Sequence, residues 1–193
     1  MSIALFFTFL RFIIAPVFPM LYLGYDGLGL SFFWGVSLSL FFLAICEGSD
    51  ILDGFFARRR NQVSDLGKIL DPVADTVIHM SIFLTFTQGV IGLPVWLVLI
   101  FLYRELLIGA LRTLCALKGE ALSARLSGKI KAVMQALVCA LIMGLMILYA
   151  EGWLSLETLR EVSFQFAFVA AAYTLVSAID YLYANRAHLR KAL

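Results

Sequence analysis

Residues 50–75 read DILDGFFARRRNQVSDLGKILDPVAD, and this stretch decides the fold. Asp50 and Asp53 are three apart, and Asp71 and Asp75 are four apart. Either spacing puts its pair on one face of a helix. The first pair closes a long apolar run over residues 29–57, and the second opens another over 66–90. A helix needs about 20 apolar residues to cross the hydrocarbon core, and both runs supply them. Between them lies a short basic loop with Arg58, Arg59 and Arg60. So short a loop predicts two antiparallel neighbouring helices with their four carboxylates near one membrane surface.

The pattern extends in both directions. Further apolar runs cover residues 3–24, 93–117, 129–150 and 159–184, which predicts six transmembrane helices. Turn-forming pairs punctuate them: Asp26-Gly27, Gln88-Gly89, Lys118-Gly119 and Glu151-Gly152. Long continuous runs exclude a β-barrel, whose strands alternate. The composition agrees. Of 193 residues, 62% are hydrophobic and 15% charged, against roughly 45–50% and about 25% in a soluble domain. We therefore expect one all-α polytopic membrane domain over residues 1–193, around a cytoplasm-facing polar cavity. A disordered chain, a soluble nucleic-acid binder and a disulfide scaffold are excluded. Cys46, Cys115 and Cys139 sit singly in apolar runs and read as small packing residues. The first run is interrupted by Arg11 and ends in no small-residue cleavage site, so it reads as a span rather than a signal peptide. Lys and Arg fall in loops 58–68 and 118–131 and in the tail, while the opposite loops hold acids and the single cation Arg160. The positive-inside rule then puts both termini and the acidic end in the cytoplasm.

Carboxylates in an apolar helix are costly and mark function. Four in one place repel, and hard divalent cations such as Mg²⁺ or Mn²⁺ relieve that with oxygen ligands. Two such ions suit chemistry on a diphosphate, because they neutralise phosphate oxygens and leaving group. Gly54 and Gly67 permit close approach to the backbone, Ala57 is small, and Arg58 offers a forked phosphate donor. A divalent-cation transporter is the rival of another class. It would need polar groups across the bilayer, whereas the outer halves of these two segments are nearly all apolar.

The eight positions Asp50, Asp53, Gly54, Ala57, Arg58, Gly67, Asp71 and Asp75 follow the pattern D-x-x-D-G-x-x-A-R-x8-G-x3-D-x3-D. In this the chain resembles the CDP-alcohol phosphatidyltransferase family. The resemblance implies a two-metal site on Asp50, Asp53, Asp71 and Asp75, with Asp75 also the general base. It implies that Asp53, Gly54, Ala57, Arg58 and Gly67 hold the CDP-linked donor, CDP-diacylglycerol, and that the enzyme is a homodimer. No side chain reads as a covalent nucleophile, so direct displacement with release of CMP is expected.

A second cationic set points to the acceptor. Arg104 and Arg112 are two helical turns apart on one face, Glu105 is placed to orient a neighbouring cation, and Lys129 and Lys131 open the fifth segment. Such a cluster suits an alcohol that itself carries phosphate. Arg104-Glu105, Arg112 and Gly128-Lys129-Ile130-Lys131, with Thr8…Arg11…Pro16, resemble the branch of the family whose acceptor is sn-glycerol 3-phosphate. The branch pattern departs at Thr76 and Ala132. Inositol phosphate, inositol or serine are the alternative acceptors. His79 reads as a packed or hydrogen-bonded histidine, and Asp180 and Tyr181 as polar contacts within the bundle. Trp34, Trp96 and Trp153 lie near segment ends, as in an interfacial belt.

Overall fold

The computed structural model describes residues 3–60, 65–117, 125–187 and 189, with side chains for all of these except 3–7, 49–60, 65–69 and 71. Among the described residues every regular element is an α-helix: α1 (Ile3–Ile14), α2 (Val17–Leu23), α3 (Phe32–Arg60), α4 (Asp65–Phe86), α5 (Val95–Leu117), α6 (Leu126–Ala150) and α7 (Leu156–Ala184). Five of the six predicted segments are each one helix. The first is two, because Pro16 at the start of α2 has no amide hydrogen to continue the ladder of α1. Helix α7 begins three residues earlier than the apolar pattern suggests, since Ser155 caps it by accepting from the amide of Thr158 at 3.1 Å. Helix α6 likewise starts at Leu126, so Lys129 and Lys131 lie inside its first two turns rather than at its opening.

Helices α6 and α7 are long and apolar enough to cross a membrane, and shorter apolar helical stretches cover residues 8–23, 32–48 and 72–86. Helix α5 is of comparable length, but Arg104, Glu105 and Arg112 interrupt it. Among the described residues helix α4 packs against the most neighbours, α1, α2, α5 and α6. Helix α1 packs on both α3 and α4, and α6 packs on α3, α4 and α7, while α5 leans on α7 and α4. Phe83, Phe86, Phe101, Ile142, Met143 and Met146 form the fully buried centre, with the Phe83 and Phe101 rings 4.6 Å apart. In lipid such contacts stabilise by close packing rather than by removal from water. Cys46, Cys115 and Cys139 are buried free thiols, as expected of packing residues.

One end of the bundle is tied shut. The α4–α5 reversal closes with the Leu93 amide donating to Phe86 O at 2.8 Å. The Tyr22 hydroxyl accepts from Val90 N at 3.0 Å and donates to Gln88 O at 3.3 Å. Arg160, near the start of α7, donates to Val90 O at 2.8 Å. Gly89 takes φ +67°, and a Cβ there would stand 2.6 Å from the Tyr22 hydroxyl. Asp71 and Asp75 belong to the other half of α4, and the polar cavity opens there.

Candidate functional site

Helix α4 carries Asp75 into a polar cavity of about 340 Å³ between α4, α5 and α6. Its wall brings together Asp75, Arg104, Arg112, Lys129 and Lys131, five of the residues singled out from the sequence. Arg125, Glu105, His79 and Gln135 join them. Among the described residues five cations thus face two carboxylates. A concave site with that excess suits an anion carrying more than one charge. Thr76 and Ala132, the two departures from the branch pattern, also line it.

Three of the cations are held by acids, Arg104 and Lys131 by Glu105 and Arg125 by Asp180. Arg104 is 7% exposed although it lies in the middle of α5. Its Nη1 donates to Glu105 Oε1 at 3.1 Å and Oε2 at 3.2 Å. Lys131, 6% exposed, donates to the same Glu105 Oε1. Glu105 therefore bridges cations from two helices, the orienting role its position suggested. Gly128 backs onto this triad, since a Cβ there would sit 3.5 Å from an Arg104 guanidinium nitrogen. Arg112 donates through Nε to the Tyr181 hydroxyl at 3.2 Å and lies 5.3 Å from the centre of that ring. Asp180 accepts from Arg125 Nε at 2.9 Å and from the Ser127 hydroxyl at 2.5 Å. Asp180 and Tyr181 are bundle contacts, as expected, and the two arginines they hold, Arg125 and Arg112, line the cavity.

On the α4 side Arg11 donates to Asp75 Oδ1 at 2.7 Å. Arg11 is 3% exposed while the Asp75 side chain is 42% exposed, so α1 braces the carboxylate from behind and leaves it facing the cavity. One turn further, His79 Nε2 is 3.0 Å from Glu47 Oε1, a hydrogen-bonded histidine as anticipated. Pro72 lies inside α4 between Asp71 and Asp75, and the Thr76 hydroxyl donates to its carbonyl at 2.8 Å.

Asp50, Asp53, Gly54, Ala57 and Arg58 fall within α3, and Gly67 and Asp71 within α4. Their side chains lie outside the described residues, and so does the expectation that the two acid pairs face one another. Helical backbone at all four aspartates does give each pair one helix face. The donor set is all carboxylate oxygen, which fits Mg²⁺ or Mn²⁺. Among the described residues no group of three acidic, histidine or cysteine side chains forms a metal cluster.

Sequence reading missed Arg11 as a site residue, and missed Arg125 and Gln135. Arg11 carried a signal, being an arginine inside an apolar helix. Gln135 carried none, because a single amide on an apolar helix has many innocuous readings.

A second, larger cavity of about 570 Å³ adjoins the first between α4 and α5. It shares Pro72, Thr76, Arg104, Glu105 and Arg112 with the polar one. The rest of its wall is mainly apolar, with Val73, Val77, Met80, Leu102, Leu106 and Ile108. A polar chamber thus opens sideways onto an apolar groove.

The sequence pattern of CDP-alcohol phosphatidyltransferases matches residues 1–179. A CDP-diacylglycerol–glycerol-3-phosphate 3-phosphatidyltransferase of Bacillus subtilis is 33% identical over 147 residues, 73% of this chain and 69% of its own. The protein of that name from Salmonella typhimurium is 31% identical over 188 residues, 94% of this chain and 93% of its own. A CMP-forming cardiolipin synthase of Streptomyces coelicolor is 45% identical over 78 residues, 38% of this chain and 36% of its own.

Proposed function

Given that the chain belongs to the CDP-alcohol phosphatidyltransferase family, we propose that it transfers the phosphatidyl group of CDP-diacylglycerol to sn-glycerol 3-phosphate. The products are phosphatidylglycerophosphate and CMP, and the role is phospholipid biosynthesis. The observation that carries the acceptor is the cavity in which Asp75 shares a wall with Arg104, Arg112, Lys129 and Lys131. A base beside a phosphate-sized excess of cationic charge suits an alcohol that carries its own phosphate. Relatives bearing that activity in their names match up to 94% of this chain. Membership in a transferase family removes the divalent-cation transporter reading.

The chemistry follows from the residues. Arg104, Arg112, Lys129 and Lys131 hold the acceptor phosphate, with Glu105 fixing Arg104 and Lys131 in register. Asp75, braced by Arg11, takes the proton from the acceptor hydroxyl within hydrogen-bond reach. The hydroxyl oxygen bonds to the phosphorus bearing diacylglycerol as the bond from that phosphorus to CMP breaks. Asp53, Gly54, Ala57, Arg58 and Gly67 hold the cytidine diphosphate of the donor. Asp50, Asp53, Asp71 and Asp75 would hold two Mg²⁺ or Mn²⁺, which supply charge neutralisation for the diphosphate and the leaving group. The apolar groove between α4 and α5 takes acyl chain from the bilayer.

In this reading α1 with α2, and each of α3 to α7, cross the cytoplasmic membrane. Both termini and the cavity mouth face the cytoplasm, where the water-soluble acceptor and CMP exchange, and the enzyme works as a homodimer. The test is an acceptor panel. Purified protein receives CDP-diacylglycerol with Mg²⁺ or Mn²⁺, and CMP is followed with glycerol 3-phosphate, inositol 1-phosphate, inositol, serine or choline offered singly. Release with glycerol 3-phosphate is expected. Release with a different alcohol alone would overturn the acceptor assignment and leave the family chemistry standing.

A further inference from the structure

Two buried polar groups of the cavity wall have no hydrogen-bond partner among the described residues: Arg104 Nε and Gln135 Nε2. Arg104 already belongs to the cationic cluster. Gln135 does not. It is 2% exposed, it lines the cavity, and it stands one helical turn beyond Lys131 on the same helix. An amide nitrogen left unpaired in an apolar bundle is costly, and native proteins rarely tolerate one without a use.

Its position says what the use is. Helices α4 and α6 pack together, and two chain reversals separate them, so they run in the same direction. Asp75 to His79 and Lys131 to Gln135 are therefore parallel steps of one turn toward the closed end. His79 is engaged by Glu47 at 3.0 Å, whereas the Gln135 amide nitrogen is unengaged. Arg125, Lys129 and Lys131 precede Gln135 along the chain, on the side away from the closed end, and form the phosphate's part of the site. A neutral donor deeper in the site suits a neutral oxygen.

We propose that Gln135 determines acceptor specificity, its amide nitrogen donating a hydrogen bond to the acceptor hydroxyl that does not react. The ligand class is a phosphorylated polyol, and the site would select it over a phosphorylated mono-alcohol of equal length. The inference rests on the reading of this cavity as the acceptor site. A site built to bond a substrate hydroxyl disfavours the analogue lacking it, because the protein group is then left unpaired.

The experiment compares glycerol 3-phosphate with 3-hydroxypropyl phosphate, which lacks only the secondary hydroxyl. The wild-type full chain is expected to prefer glycerol 3-phosphate by about tenfold or more in kcat/KM, the worth of one buried hydrogen bond. Gln135→Met keeps the side-chain length and removes the amide. It should lower kcat/KM for glycerol 3-phosphate about tenfold, leave 3-hydroxypropyl phosphate unchanged, and leave the KM for CDP-diacylglycerol unchanged. An equal loss with both acceptors, or none with either, would overturn the inference. So would a wild-type enzyme that uses the two equally well, a result that needs no variant to fold. If wild type releases CMP with neither but does so with another alcohol, the acceptor reading fails and this inference with it.

Discussion

Glu105 is the residue on which the cavity's electrostatics turn, and Glu105→Leu is the sharpest test of it. The carboxylate side chain is 14% exposed and is shared by two cations whose side chains are each 7% exposed. Its contacts are Arg104 Nη1 at 3.1 and 3.2 Å and the ammonium of Lys131. Leucine has similar bulk but leaves both cations buried without their shared acid. Removing one partner of a buried ion pair costs about 3–5 kcal/mol, because the survivor cannot return to water. A chain of 150–250 residues loses about 2–4 °C of Tm per kcal/mol. The expected drop is therefore about 6–20 °C. The three buried thiols Cys46, Cys115 and Cys139 provide the assay, since a thiol-reactive fluorophore reports their exposure as detergent-solubilised protein is heated. Added glycerol 3-phosphate should raise the Tm of Glu105→Leu more than that of wild type, since it returns negative charge to the cluster. A drop below about 2 °C, under the roughly 1 kcal/mol typical of an exposed pair, would refute the view that Glu105 holds a buried triad.

Arg11→Met should lower kcat about tenfold to a hundredfold, the worth of a hydrogen bond to a charged group, with acceptor KM little changed and partial recovery in Arg11→Lys. Unaltered kcat with either acceptor would detach Arg11 from the action of Asp75. Gly89→Ala should cost at least about 1–2 kcal/mol, the penalty for a left-handed non-glycine residue, seen as a lower Tm with kcat preserved. Adding Tyr22→Phe should cost less than the two changes summed, because it removes the hydroxyl that the new Cβ would strike; strict additivity would show that the two do not interact. Chelation with EDTA should abolish CMP release and added Mg²⁺ or Mn²⁺ restore it; turnover persisting after exhaustive chelation would exclude the metal role given to the four aspartates.

The sequence by itself determined that the described residues form an all-helical bundle and where five of its six long apolar segments lie, and it singled out acids and cations as candidates for the chemistry. Those are local facts. A continuous apolar run can satisfy its backbone in lipid only as a helix, and carboxylates at i,i+3 and i,i+4 share a face whatever the rest of the chain does. The break at Pro16 comes from that residue's missing amide hydrogen, which apolar patterning does not register. Arg104, Arg112, Lys129 and Lys131 were legible as a cationic set because each stands out against an apolar background.

Only the tertiary structure decided which of these meet. Arg11 and Asp75 are 64 residues apart, Arg112 and Tyr181 are 69 apart, and Glu105 and Lys131 are 26 apart. Helical periodicity gives the face of one helix and says nothing of which neighbour that face meets. Gln135 shows the limit most plainly. On its own helix it is one polar residue among apolar ones, and it acquires meaning only where α4, α5 and α6 enclose a cavity and leave its amide nitrogen without a partner. Partner choice in a bundle is fixed by the packing of whole helices, a property of all of them at once that no single stretch of sequence contains.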